Sequence, residues 1–284
     1  MTILGAHMSI AGGYYKSVGL AKAAGCECVQ LFTKNNNQWK AKPITEDDIA
    51  KFKSALKENE IGNPISHASY LINMASPNEE LREKSVAAFV IELERAEMLG
   101  IRYVVMHPGS FTTSTEEEGL EKIAQSLDEV HRQLPNATSH CLLENTAGQG
   151  SNLGNQFEHL QSIIERVESP ERLGVCFDTC HAFAAGYPLA EKSEYEATMA
   201  KIENTIGTDR IKAFHLNDSK KPFGSRKDRH EAIGKGEMGI EPFRNLLNDD
   251  RFKSVPMYLE TPKESSNGVE WDIENLATLR GLIE

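Results

Sequence analysis

The chain has 284 residues, 39% of them hydrophobic, and a formal net charge of −11. That length suits one large barrel or two ordinary domains, and the acidic balance taken alone argues against a nucleic-acid partner. No apolar stretch approaches the ~20 residues of a membrane span, and MTILGAHMS at the N-terminus lacks the layout of a secretory signal, so a cytoplasmic protein with no membrane partner is expected. Five cysteines, Cys26, Cys28, Cys141, Cys176 and Cys180, are an odd count, several within strand-like runs. They read as reduced, buried thiols.

Eight apolar runs are expected as strands: 3–8, 28–33, 64–68, 103–107, 140–144, 173–178, 211–216 and 256–260. Most are continuous rather than alternating, which suits strands covered on both faces of a parallel sheet. Helices lie between them. Thr45 with Asp48 makes a capping-box start, Ser76-Pro77 with Glu79 opens a long helix that Gly100 closes, and Ser114 with Glu117 starts the next. Strand and helix alternate end to end in units of about forty residues with no linker between them. The expectation is therefore α/β, a single (β/α)₈ TIM barrel over residues 1–284, with its site on the C-terminal rim of the strands. Two connections stand out there: 34–44, with amides, bases and Trp39, and the long basic segment 217–238.

The strand ends share one chemistry. His67, His107, Glu144, Asp178, His215 and Glu260 close six successive runs, at spacings of 40, 37, 34, 37 and 45 residues. His181 follows Asp178, and Asp228-x-His230 lies in the long loop, where alternate residues of an extended segment point the same way. Any one of these alone reads as a hydrogen-bonded His or a helix-capping Asp. Six in succession at a barrel mouth do not, because buried charges are costly unless paired or metal-bound. His, Asp and Glu without thiolates suit zinc, with manganese or iron as alternatives. His7 ends the first strand and could orient a ligand. His131 and His159, in predicted helices, and His140, at the start of the fifth strand, read as surface or cap residues.

These motifs resemble the endonuclease IV family of zinc-dependent apurinic/apyrimidinic endonucleases. The resemblance spans the chain and includes GAHMSIAGG (5–13), LFTKN (31–35), HASYLIN (67–73), HPGS (107–110), LENTAGQGSNLG (143–154), GVCFDTCHAFAAGY (174–187), HLNDSK (215–220), GSRKDRH (224–230) and LET (259–261). It implies three zinc ions, Zn²⁺, with Mn²⁺ an alternative at one or more sites. His67 and His107 would hold the first, Glu144 would bridge to a second held with Asp178, His215 and Glu260, and His181, Asp228 and His230 would hold the third. It further implies that Tyr70 and Leu71 enter the DNA at the lesion, and that Lys34, Lys220, Lys221, Arg226 and Arg229 contact phosphates. Asn37 stands where the family often carries Arg, so one charged DNA contact is absent.

The implied reaction is hydrolysis of the phosphodiester 5′ to an abasic site in double-stranded DNA, leaving a 3′-hydroxyl and a 5′-deoxyribose phosphate, together with trimming of blocked 3′ ends. Three divalent ions against four ligand carboxylates leave a cluster of about +2, which attracts phosphate even in an acidic protein, and metal binding acidifies a nucleophilic water. Glu144 and Glu260 are the residues expected to be indispensable to the chemistry. A metal-dependent sugar isomerase or epimerase on the same barrel is the competing reading; one or two ions and a closed polyol pocket would mark it. A monomer is expected.

Overall fold

The computed structural model describes residues 2–263 and 271–284. Eight parallel strands close into a barrel: β1 (Leu4–Met8), β2 (Cys28–Phe32), β3 (Gly62–His67), β4 (Tyr103–Met106), β5 (His140–Glu144), β6 (Leu173–Asp178), β7 (Ile211–His215) and β8 (Met257–Leu259). Each pairs with its sequence neighbours, and β8 returns to β1. Every expected strand is present, within two residues at either end. Helices ring the outside, with most of the apolar core between them and the sheet. A second cluster fills the barrel itself: Cys28, Ile65, Val105, Leu142, Cys176, Ala213 and Tyr258. β1 contributes almost no volume there, because a Cβ on Gly5 would lie 2.0 Å from the Cys28 carbonyl oxygen; only glycine permits that approach.

Helix α1 (Tyr14–Ala24) ends on Gly25 at φ +81°, the left-handed C-terminal turn that lacks a Cβ penalty. Helix α2 (Glu46–Asn59) starts as expected, with Thr45 and Asp48 exchanging cap hydrogen bonds. The next two starts differ from expectation. Helix α3 (Glu79–Leu99) is capped by Asn78, whose side chain accepts from the Leu81 N–H, not by Ser76. Ser76 instead accepts from the Asn78 N–H and shapes the approach. Helix α4 (Glu116–Gln133) uses Thr115 and Glu118 as its capping box, one residue beyond the Ser114–Glu117 pair. Both pairs have the right spacing, and Ser114 is diverted to the Phe111 carbonyl.

His131 and His159 are buried rather than on the surface, and His140 is half-buried as the first residue of β5. His159 packs inward because its helix, Phe157–Arg166, turns Phe157, Leu160 and Ile163 to the same side; its Nδ1 accepts the Gly154 N–H. The five cysteines are free and buried. Among the described residues, no helix is long and apolar enough to cross a membrane.

Candidate metal centre

Side chains in a strand alternate between faces, so the residue two beyond an inward-facing one also faces inward. Applied to the barrel-filling layer, this rule gives the site. Ile65 leads to His67, Val105 to His107, Leu142 to Glu144, Cys176 to Asp178, Ala213 to His215 and Tyr258 to Glu260. The remaining two strands complete the ring: Gly5 leads to His7 and Cys28 to Gln30. Eight polar residues from eight strands thus converge at the C-terminal mouth. Gln30 escaped notice in the sequence, although a glutamine inside the apolar run CVQLF, two residues past an interior position, was a usable signal.

The converged donors fall into groups of close atoms. His67, His107 and Glu144 form one, and Glu144, Asp178, His215 and Glu260 a second, with donor atoms in each group within 4.8 Å of one another. Glu144 belongs to both. Its Oε2 is 3.2 Å from the Nε2 atoms of His67 and His107, and its Oε1 is 2.9 Å from His215 Nδ1. Glu260 Oε2 lies 3.3 Å from the same His215 nitrogen. A third group sits at the outer edge, where Asp228 Oδ2 is 3.1 Å from His181 Nε2 and Asp228 Oδ1 is 3.2 Å from His230 Nε2. Asp178 also groups with His181 and His230, and Cys180 with Asp228 and His230. Burial pushes the Cys180 thiol up to about 12, and the sulfur faces the Arg229 carbonyl, so His181 is the better third donor.

Hydrogen bonds on the far side of each ring orient these imidazoles. His67 Nδ1 lies 2.7 Å from the Ala68 carbonyl and His181 Nδ1 lies 2.9 Å from the Asn145 carbonyl. An N–H donated to each carbonyl leaves the Nε2 lone pair facing a carboxylate oxygen. Two lone pairs at about 3 Å repel unless a cation lies between them. Ligands held at ~2.1 Å by one tetrahedral ion are about 3.4 Å apart, close to the separations seen. Among the described residues, Asp228 Oδ1, 3.2 Å away, is the group that His230 Nε2 faces, and the nitrogen is buried. The donor set therefore fits metal ions of the kind His and carboxylates bind.

The electrostatics point the same way. Burial works against charge on His181, yet Asp178, Asp228 and Glu144 raise its pKa well above the usual imidazole range. Burial also works against charge on Glu144, yet His215 and His107 hold its carboxyl well below the usual range. Asp228 is likewise lowered, through His181 and His230. The cluster demands positive charge from protons or from ions.

Amides brace the carboxylates. Asn217 Nδ2 donates to Asp178 Oδ2 at 2.7 Å, and its Oδ1 accepts the Glu260 N–H at 2.9 Å. Gln30 Nε2 donates to Glu260 Oε1 and to His7 Nδ1. His7 thus stands beside Glu260, 3.5 Å from its Oε1.

Around this centre, Tyr70 is 55% exposed, with its ring centroid 5.1 Å from that of His67 and 5.9 Å from that of His107. Leu71 is half-buried next to it, and Asn37 is exposed in the preceding loop. A cavity of about 530 Å³ is lined by Lys221, Arg226, Lys227, Arg229, Gln149 and Gly150, with no carboxylate among them. Lys220, also exposed, leans toward Glu231 at 3.8 Å. Lys34 departs from expectation. Its side chain is 3% exposed, 3.2 Å from Glu92, and donates to the Gln38 carbonyl. Its ammonium thus faces Glu92 and not the open rim.

A closed eight-stranded barrel with a ring of His and carboxylate donors at its C-terminal mouth defines a TIM barrel with a candidate metal centre, and the family of xylose isomerase-like TIM barrels matches residues 18–282. Within that class the chain is 48% identical, over the full length of both, to a protein of Citrifermentans bemidjiense named probable endonuclease 4. The crystal structure of endonuclease IV from Thermus thermophilus superposes with a TM-score of 0.86 at 34% identity, covering 99% of this chain and 98% of that one. The chain belongs to the endonuclease IV family. A D-tagatose 3-epimerase-like protein shares the fold at a TM-score of 0.74 and 20% identity, over 99% of this chain and 97% of that one.

Proposed function

We propose that this protein is a DNA-repair endonuclease that cuts the phosphodiester 5′ to an abasic site in duplex DNA. The products would be a 3′-hydroxyl and a 5′-deoxyribose phosphate, and blocked 3′ ends would be trimmed at the same site. The observation that supports this most is the pairing of clustered His and carboxylate donors with an exposed aromatic and a basic cavity on one open rim.

His67, His107 and Glu144 would hold one zinc ion. Glu144, Asp178, His215 and Glu260 would hold a second, and His181, Asp228 and His230 a third; manganese could replace zinc at one or more of these. When bound, such ions neutralise phosphate charge and make water acidic enough to attack at neutral pH. The remaining work falls to the chain. Glu144 fixes the spacing of the first two groups, because each of its oxygens faces a different one. Glu260, braced by Gln30 and Asn217, presents a carboxylate oxygen at the mouth.

An abasic site offers no base to read, so recognition must use shape and the empty place in the stack. Tyr70 projects from the rim directly above His67 and His107, and Leu71 stands beside it, an aromatic and an aliphatic wedge of the kind that opens base steps. Arg226, Arg229, Lys220 and Lys221 supply the positive side of the cleft for flanking phosphates, and Asn37 an uncharged amide. The protein would act as a monomer in the cytoplasm.

The test is incubation of the metal-loaded protein with a duplex carrying one tetrahydrofuran abasic analogue, followed by identification of both new ends. A cut on the 5′ side with a free 3′-hydroxyl supports the reading. An intact duplex, with aldose–ketose interconversion or epimerisation of a free sugar, overturns it in favour of the isomerase class.

A further inference from the structure

The loops that follow β2 and β3 carry Asn37 and Tyr70–Leu71, and one buried carboxylate reaches the root of both. Glu92, on α3, is 1% exposed. Its Oε2 accepts from Thr33 Oγ1 at 2.9 Å, where the first loop begins. Its Oε1 accepts the Ser69 N–H at 3.2 Å, where the second begins, and lies 3.2 Å from Lys34 Nζ. Beyond Glu92 the two loops are tied to each other: Ser69 Oγ donates to the Asn36 carbonyl, and Lys34 Nζ closes the first loop on the Gln38 carbonyl. One turn further along α3, Arg95 donates to the carbonyls of Thr33 and Lys42.

This is an expensive way to fill space behind a barrel. A buried charged network is often no more stable than apolar residues of the same volume, whereas its directional bonds fix relative positions. Among the described residues, the bonds of Glu92 go to these two loops. We propose that Glu92 is a positioning residue, which sets the distance between the Asn37 loop and the Tyr70–Leu71 loop so that both engage one lesion together. The role in lesion binding rests on the function proposed above; the coupling of the loops does not.

Two variants test it: Glu92→Gln, which removes the charge at nearly constant volume, and Thr33→Val, which deletes one bond and keeps the Glu92–Lys34 pair. Without DNA, hydrogen exchange should speed up about tenfold in both 35–39 and 69–73, with α4 unchanged. Loosening of one loop alone overturns the coupling. With the abasic duplex, KM should rise about tenfold while kcat stays within about threefold and metal content is unaltered. A lowered Tm with KM unmoved, or a fall confined to kcat, overturns the positioning role. If Glu92→Gln does not fold, Thr33→Val carries both measurements, with a smaller shift of the same sign expected and no shift counting against the proposal. If the unaltered protein leaves the duplex intact, the functional reading fails, and the exchange experiment still decides the coupling.

Discussion

Gln30 and His215 are joined across the barrel mouth: Gln30 Oε1 lies 2.7 Å from His215 Nε2, although β2 and β7 are not neighbours in the sheet. An N–H donated from His215 Nε2 leaves Nδ1 as the free donor, and Nδ1 is the atom that faces Glu144 and Glu260. The same amide holds Glu260 through its nitrogen. Gln30→Leu should therefore leave the barrel folded but weaken retention of one ion about tenfold, the usual scale for losing a partner behind a metal ligand. Chelator competition with metal quantification reads this directly. Unchanged retention would show that Asn217 and the packing suffice.

Glu144 faces both of the first two groups, so its loss cannot be confined to one. Glu144→Gln keeps the volume and one oxygen but replaces the other with a donor that faces a histidine nitrogen. Incision of the abasic duplex should fall at least about a thousandfold, with bound metal reduced by more than one ion, while far-UV dichroism keeps the barrel signature. Glu260→Gln should lose activity comparably but retain the ion that His67 and His107 would hold. Near-normal incision by either variant with full metal content would remove the role given to these carboxylates.

Much of this is legible in the chain because one rule, a polar residue closing an apolar run, repeats at six successive strands. It holds for His67, His107, Glu144, Asp178, His215 and Glu260, each of which stands two residues past an interior position. Gln30 also stands two residues past an interior position, but it lies inside its run and is neither titratable nor a metal ligand, so ligand chemistry does not mark it. Asn217 is hidden for the same reason, as an amide in a loop whose partners are known only once the strands are adjacent. Lys34, which the resemblance assigns to a phosphate, pairs instead with Glu92 on a helix far along the chain, a partner the local sequence does not reveal. The helix starts slipped by one or two residues because consecutive Ser, Thr and Asn all can cap, and the local backbone decides which does.

The basic cavity makes a prediction about salt. Each phosphate contact releases counterions and contributes about −0.9 to the slope of log affinity against log salt. Arg226→Ala and Arg229→Ala should each make that slope shallower by about that amount for the abasic duplex. Lys34→Met should leave the slope unchanged, because its ammonium is committed to Glu92. It should instead lower stability by about 3–5 kcal/mol, the usual cost of stranding one partner of a buried pair. A slope change in Lys34→Met with no loss of stability would return that lysine to the DNA interface.

Near the C-terminal end of α3, Glu97 ties the helix to the segment before β5. Its Oε1 accepts from the N–H groups of Thr138 and Ser139 and from the Thr138 hydroxyl. Partial burial opposes its charge, but these donors prevail and hold its pKa below the usual glutamate value. A carboxyl depressed in the folded state adds stability that is fully present above its unfolded pKa of ~4.3 and disappears as pH falls through the lower folded value. Glu97→Gln should therefore be less stable than the unaltered protein at pH 7, by about 1 kcal/mol after allowing for solvent screening. The gap should narrow toward pH 3. Urea melts at the two pH values measure it, and a gap that widens with acid would mean that the donors do not favour the ionised form.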